Sequence, residues 1–373
     1  MLIKNGVVLT ETGNFETKNV YTKDVFITKE ESDGETIDAK GCYILPGLID
    51  LHFHGCNGYD FCDGTIEAVK ELAEYEAKSG ITSICPASMT LGDEALEKIF
   101  AAGAAYQKNP SEVGADLVGI NMEGPYVSDS KKGAQNGLYL HLPEVSHFKH
   151  MNECANHLIR LVTLAPELEG SMEFIEALSK EVAISVGHTC ADFDTAKEAF
   201  DKGASHVTHL YNAMNPYTHR NPGVLGAACD SSWVTVELIC DGIHLHPSTI
   251  RTTFKAFGEE NIVLISDSMM ATGLSDGQYS LGGQAVTVKG STATLADGTI
   301  AGSVTNLFQC MKKVVSFGIP LATAVKCASM NPAKKLGIYE SYGSLTPGKY
   351  ANILIVGKDL ELKHVILRGK LLY

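Results

Sequence analysis

The chain has no Cys-x-x-C pair, although ten cysteines are spread over its 373 residues. Cys42, Cys85, Cys190, Cys229, Cys240 and Cys327 sit among apolar or small residues. They read as reduced, mostly buried thiols rather than a disulfide framework. No Lys/Arg run stands out and the formal net charge is −14, which excludes nucleic acid and an anionic membrane as partners. An anionic substrate would need a local basic pocket. No apolar run approaches the roughly 20 residues of a membrane span. The start, M-L-I-K-N-G-V-V-L-T, has neither a long apolar region nor a small-residue cleavage site, so a cytoplasmic protein is expected. Internal repeats and low-complexity tracts are absent too. Tryptophan occurs once, and Trp233, beside the strand starting at Val234, reads as packing.

What is present is ordinary globular material, 45% hydrophobic and 20% charged. The length suits two or three average domains, or one large barrel with a small addition. It is enough to bury a large core without disulfides.

Residues 1–48 read as short strands, such as Leu2 to Leu9 and Asp24 to Ile27, parted by Asn-Gly and Asp-Gly turns. From Gly47 β-rich runs alternate with helix-period segments. Ile66 to Ser79 is a helix before the strand G-I-T-S-I-C-P. Leu117 to Met122, Leu158 to Leu164, Val182 to Val186, His206 to Leu210, Val234 to Ile239 and Ile262 to Ile265 read as strands. Met172 to Ser179 and Asp194 to Lys202 read as helices among them. Repeated β-then-α units predict a parallel sheet closed as a (β/α)8 TIM barrel over residues 49–342. After Gly343 strands return at Asn352 to Val356 and Leu362 to Leu367. They are expected to pair with residues 1–48, so that 1–48 and 343–373 form one small β-sandwich domain around the inserted barrel.

The segment L-I-D-L-H-F-H-G follows a Pro-Gly turn and alternates with period two. Ile49, Leu51 and Phe53 should face the helices, and Asp50, His52 and His54 the barrel interior. Two histidines two apart on one strand face can chelate a divalent cation, although an isolated H-x-H can equally be a pair of satisfied core histidines. Cys56 and Cys62 lie in the following Gly-rich loop, but the motif has ligands enough without them. Four more polar residues close predicted strands: Glu123, His188, His209 and Asp267. Each alone could cap a helix or satisfy a loop carbonyl. Together with the His pair they supply the groups that bind zinc or ferrous iron and move protons.

These residues lie in P-G-L-I-D-L-H-F-H-G, M-E-G-P-Y, K-K-G-A-Q-N, S-V-G-H-T, T-H-L-Y-N-A-M, D-G-I-H-L-H-P, S-D-S-M and I-A-G-S, in that order. Along nearly its whole length the chain resembles the N-acetylglucosamine-6-phosphate deacetylases of the amidohydrolase superfamily. The resemblance implies that Glu123, His188 and His209 hold a principal metal. It implies that His52 and His54 hold a second, with Glu123 as bridge and Asp267 as catalytic acid/base. The metal would be Zn2+ or Fe2+, one or two per subunit. Ala134, Gln135, Asn212, Ala213, Arg220, Asp241, His244, Ile300, Ala301 and Gly302 would line a sugar-phosphate pocket. The protein would be a homodimer acting on a small amino-sugar phosphate, with Arg220 reaching across the subunit boundary or serving its own. Some relatives have His in place of Gln135, and its role does not carry over; Ser266 and Ser268 flank Asp267 where many have Thr and Ala.

The chemistry agrees. An amide is a poor electrophile with a poor leaving group. A divalent metal polarises the carbonyl and lowers the pKa of water from 15.7 toward about 7, and a carboxylate can take that proton and deliver it to the departing nitrogen. His244 and Arg220 read as the best local cations for a phosphate. His206 would support its strand and His246 position His244, while His219 stays open. His141, His147, His150, His157 and His364 read as surface residues. Three other functions compete: deacetylation of N-acetylgalactosamine 6-phosphate, hydrolysis of a D-aminoacyl or cyclic amide, and a non-enzymatic scaffold. Cyclic amidases typically bridge two metals with a carboxylated lysine, where this strand end offers Glu123. A scaffold would be expected to have lost some of the six metal and acid positions, all of which are filled.

Overall fold

The computed structural model describes residues 1–30 and 34–373. Eight strands run parallel: β1 (Leu48–Asp50), β2 (Ile81–Ile84), β3 (Ile120–Glu123), β4 (Ile159–Leu164), β5 (Ala183–Val186), β6 (His206–Val207), β7 (Thr235–Ile239) and β8 (Ile262–Ile265). Strands β3 to β8 form one continuous parallel sheet. A short bridge between Ala87 and Asn121 joins β2 to its edge. At the other edge the Asp267 N–H donates to the His52 carbonyl at 3.0 Å. The sheet therefore curls into a barrel-like form.

Each strand is followed by a helix. The first of them, α1 (Ile66–Lys78), buries Val69, Leu72, Ala73 and Glu76. Along β8, Ile262 and Leu264 pack in the strand–helix layer, whereas Val263 and Ile265 turn inward beside Leu161 and Ile239. This period-two alternation carries the residues at strand ends alternately into the barrel mouth and the outer layer.

One expectation about β1 fails. Ile49 and Leu51 belong to the interior cluster with Leu161, Val263 and Ile265, not to the helix layer. Asp50 is turned away from the site instead and lies near Glu76 and Cys56. Strand pairing ends at Asp50 and the chain bends at Leu51 and His52. The bend resets the parity, so His52 and His54 still reach the interior while Phe53 joins the helix layer.

Between β8 and its helix (Leu307–Ser316) lies a four-stranded antiparallel sheet, Gly277–Leu281, Gln284–Lys289, Thr292–Thr294 and Ile300–Ser303, for which the sequence carried no expectation. It buries Leu281, Val286 and Ala301 against Met89 and Met269. The terminal strands form a four-stranded and a six-stranded sheet, the latter pairing Cys42–Pro46 with Ile353–Gly357. Ile3 and Val20 from one sheet share a cluster with Ile44 and Ile355 from the other. All ten cysteines are free; Cys229 is exposed. Trp233 is half exposed, with the Lys197 ammonium above its ring, rather than packed. No helix among the described residues is long and apolar enough to cross a membrane.

Candidate active site

Glu123 closes β3, and its carboxylate sits at the centre of the barrel mouth. Its Oε1 lies 3.1 Å from both His188 Nε2 and His209 Nε2 and 3.4 Å from His52 Nε2. Its Oε2 lies 3.3 Å from His54 Nε2. Asp267 Oδ1 is 3.3 Å from His54 Nε2 and 3.8 Å from His52 Nε2. All six side chains are buried. Their donor atoms fall into two groups of metal-site dimensions, Glu123–His188–His209 and His52–His54–Asp267.

Backbone contacts aim the imidazoles. His188 Nδ1 donates to the Lys131 carbonyl at 2.9 Å and His54 Nδ1 to the Ala87 carbonyl at 3.3 Å. With a cation at the centre, a proton kept on Nδ1 would leave each Nε2 free to bind it. His52 Nε2 and His209 Nδ1 have no hydrogen-bond partner among the described residues. His188, His209 and Asp267 all have positive φ (47°, 27° and 50°), a conformation L-residues rarely adopt and one that clusters at functional sites.

The electrostatics fit a site that takes up a cation. Burial opposes the charge of Glu123, yet the His52 charge and hydrogen bonds from His188 and His209 hold its carboxyl well below the usual range. Burial opposes protonation of His54, but hydrogen bonds to Asp267 and Glu123 push it up to about 10. Asp267 is held low by His54 and the His52 charge, against burial. Two carboxylates and four imidazoles, with an orphaned ring nitrogen turned inward, are a donor set suited to a divalent cation.

A cavity of about 550 Å³ opens over this cluster. Ala134, Gln135, Asn212, Ala213, His244, Ile300 and Gly302 line it. Gln135 donates from Nε2 to Glu123 Oε2 at 2.8 Å and accepts from the Thr90 N–H. Asp241 lies behind His244, which donates from Nδ1 to its Oδ2 at 2.7 Å. Ala301 is buried in the inserted sheet, and only its neighbours face the cavity.

Arg220 does not line the cavity within this chain. It is exposed, its Nη1 on His219 Nε2. The lining cations besides His244 are Lys131 and Lys132, which sequence reasoning missed although it singled out K-K-G-A-Q-N. His246 caps the helix Pro247–Phe257 by accepting from the Ser248 N–H. His147 is half-buried, bonded to Tyr126 and stacked on His141, not simply a surface residue. The other omission is Glu237, a lone acid in the apolar run V-T-V-E-L-I-C. A buried acid in such a strand is a signal in itself, since it needs partners.

The sequence pattern of the amidohydrolase family matches residues 43–372. The chain is 37% identical to N-acetylglucosamine-6-phosphate deacetylase of Bacillus subtilis (strain 168), over 100% of this chain and 94% of that protein. It is 32% identical to N-acetylgalactosamine-6-phosphate deacetylase of Escherichia coli O157:H7, over 98% and 97%. Its fold matches, with a TM-score of 0.92 and 30% identity over 100% and 99% of the chains, a mutant N-acetyl-D-glucosamine-6-phosphate deacetylase of Mycobacterium smegmatis in complex with N-acetyl-D-glucosamine-6-phosphate.

Proposed function

The chain belongs to the amidohydrolase family, and we propose that it hydrolyses the acetamide of N-acetyl-D-glucosamine 6-phosphate to D-glucosamine 6-phosphate and acetate, in amino-sugar catabolism. The observation that carries this reading is the convergence of His52, His54, His188, His209 and Asp267 on Glu123 beneath a cavity rimmed by Lys131 and Lys132.

Glu123, His188 and His209 would hold one divalent cation, and His52 and His54, with Glu123 between, a second. When bound, such a cation supplies Lewis acidity toward the amide carbonyl and acidifies water. Zn2+ and Fe2+ both suit this donor set. Asp267 takes the proton of the attacking water and returns it to the departing nitrogen. Its low pKa leaves it ionised and ready to accept. Gln135 holds the Glu123 carboxylate in place. Lys131 and Lys132 supply positive charge for the 6-phosphate, joined by His244. We place Arg220, exposed on its loop, at a second subunit's pocket in a homodimer. Residues 1–48 and 343–373 are taken as a separate β-sandwich domain, and the enzyme as cytoplasmic.

The experiment is acetate release from N-acetylglucosamine 6-phosphate, coupled to elemental analysis. Release with at least one equivalent of divalent metal is expected; no acetate from metal-loaded protein would overturn the reading. The Escherichia coli relative supports a second reading, with the galactosamine epimer as substrate. A kcat/KM about tenfold higher on that epimer would replace the first reading with the second.

A further inference from the structure

Outside the two candidate metal groups, Glu237 is the one residue among those described whose hydrogen bonds reach a member of each. It lies on β7, pointing inward, with no exposure. Its Oε2 accepts from His52 Nδ1 at 2.9 Å and from the His209 backbone N–H at 2.9 Å. Its Oε1 is 3.0 Å from His206 Nε2, and His206 Nδ1 meets Thr235 Oγ1. His52 and His206 are themselves fully buried.

We infer that Glu237 is a positioning residue that sets the tautomer of His52 and the backbone of His209, and so links the two metal groups. An ionised carboxylate only accepts, so His52 must carry its proton on Nδ1. Nε2, the atom facing Glu123 and Asp267 with no hydrogen-bond partner among the described residues, is then the ring nitrogen that would bind a cation. His54 and His188 are oriented by neutral backbone carbonyls. His52 alone has a buried carboxylate as its acceptor, the stronger partner and the one that raises the basicity of the opposite nitrogen. His209 has no acceptor for Nδ1 among the described residues. It is held by its N–H to the same Glu237 oxygen, at the site's tightest positive φ, 27°. His206 fixes the carboxylate from behind, which gives that buried histidine a purpose.

This rests on reading His52 and His209 as metal ligands. The experiment strips the enzyme of metal and titrates it with Zn2+ against a chromophoric chelator. The spectrum of the Co2+-loaded form is recorded in parallel. Wild type, Glu237→Gln and Glu237→Met are compared, with circular dichroism of each apo protein as the check on folding. Loss of an outer carboxylate of this kind weakens metal affinity by about ten- to a hundredfold. That loss is expected for Met, with a smaller one for Gln, together with a changed Co2+ visible spectrum in both. Wild-type affinity and spectrum in a folded Glu237→Met would overturn the inference. Should Met fail to fold, the same result in Glu237→Gln overturns it. Failure of the wild type to bind Zn2+ would sink the metal-ligand reading instead, before either variant is compared.

Discussion

His188 Nε2 lies 3.1 Å from His209 Nε2, and both lie 3.1 Å from Glu123 Oε1. Two imidazole lone pairs this close repel unless a proton or cation sits between them and the carboxylate. His188 is further restrained through Nδ1 by the Lys131 carbonyl. Replacing His188 by Ala removes one corner of the triangle. The expected result is joint loss of metal content and acetate release, read by elemental analysis and a product assay. Full metal retention would refute the ligand role.

Asp267 occupies a different place. It neighbours His54, not the Glu123–His188–His209 triangle. Asp267→Asn keeps the size and removes the base. The triangle should keep its metal, while kcat falls by a factor on the order of 10² or more, as for loss of a general acid/base. Stopped-flow or end-point assays of acetate check it, and full activity would remove Asp267 from the reaction.

The cavity cations give a specificity prediction. Lys132 is paired with Asp129 at 2.5 Å, whereas Lys131 Nζ has, among the described residues, only the Met214 carbonyl at 3.4 Å. Lys131 is thus the freer charge, and its own carbonyl holds His188. Lys131→Ala keeps that carbonyl. A hydrogen bond to a charged group contributes about 1.5–3 kcal/mol, so KM for the 6-phosphate should rise roughly ten- to a hundredfold. Hydrolysis of unphosphorylated N-acetylglucosamine should change little. An equal loss on both substrates would show that Lys131 does not read the phosphate.

How much of this was legible beforehand depended on where each residue's partners lie. His54, Glu123, His188, His209 and Asp267 could be found because each ends a β-rich run, and a parallel barrel gathers strand ends in one mouth. Glu237 could not be assigned, because its partners His52 and His206 stand 185 and 31 residues away. The orientation of Ile49 and Leu51 was misread because strict alternation assumes an unbroken strand, and the chain bends at Leu51. Arg220 is exposed and off the cavity of its own chain, while Lys131, which lines it, was overlooked. Both sit in loops, where composition does not tell which side chain turns toward the cavity.

Asp50, turned out of the barrel on the strand before that bend, has a neighbour in Glu76 of α1, and this allows a prediction about stability. Neither Glu76 carboxylate oxygen has a hydrogen-bond partner among the described residues. Burial, then the nearby Asp50 charge, push its pKa well above the ordinary carboxylate value. With the folded pKa raised, both states hold the proton below about pH 4.5, and Glu76 there gives no pH dependence. Above that, the unfolded chain releases the proton while the folded one retains it. Stability attributable to this group therefore falls as pH rises toward the folded pKa. Glu76→Met removes the buried polar group and should stabilise the protein by ~1–3 kcal/mol at pH 7. The gain should shrink between pH 7 and pH 5. Denaturant unfolding of wild type and variant at both pH values measures it. A gain independent of pH would mean that Glu76 is ionised in the folded protein, with a partner for its charge.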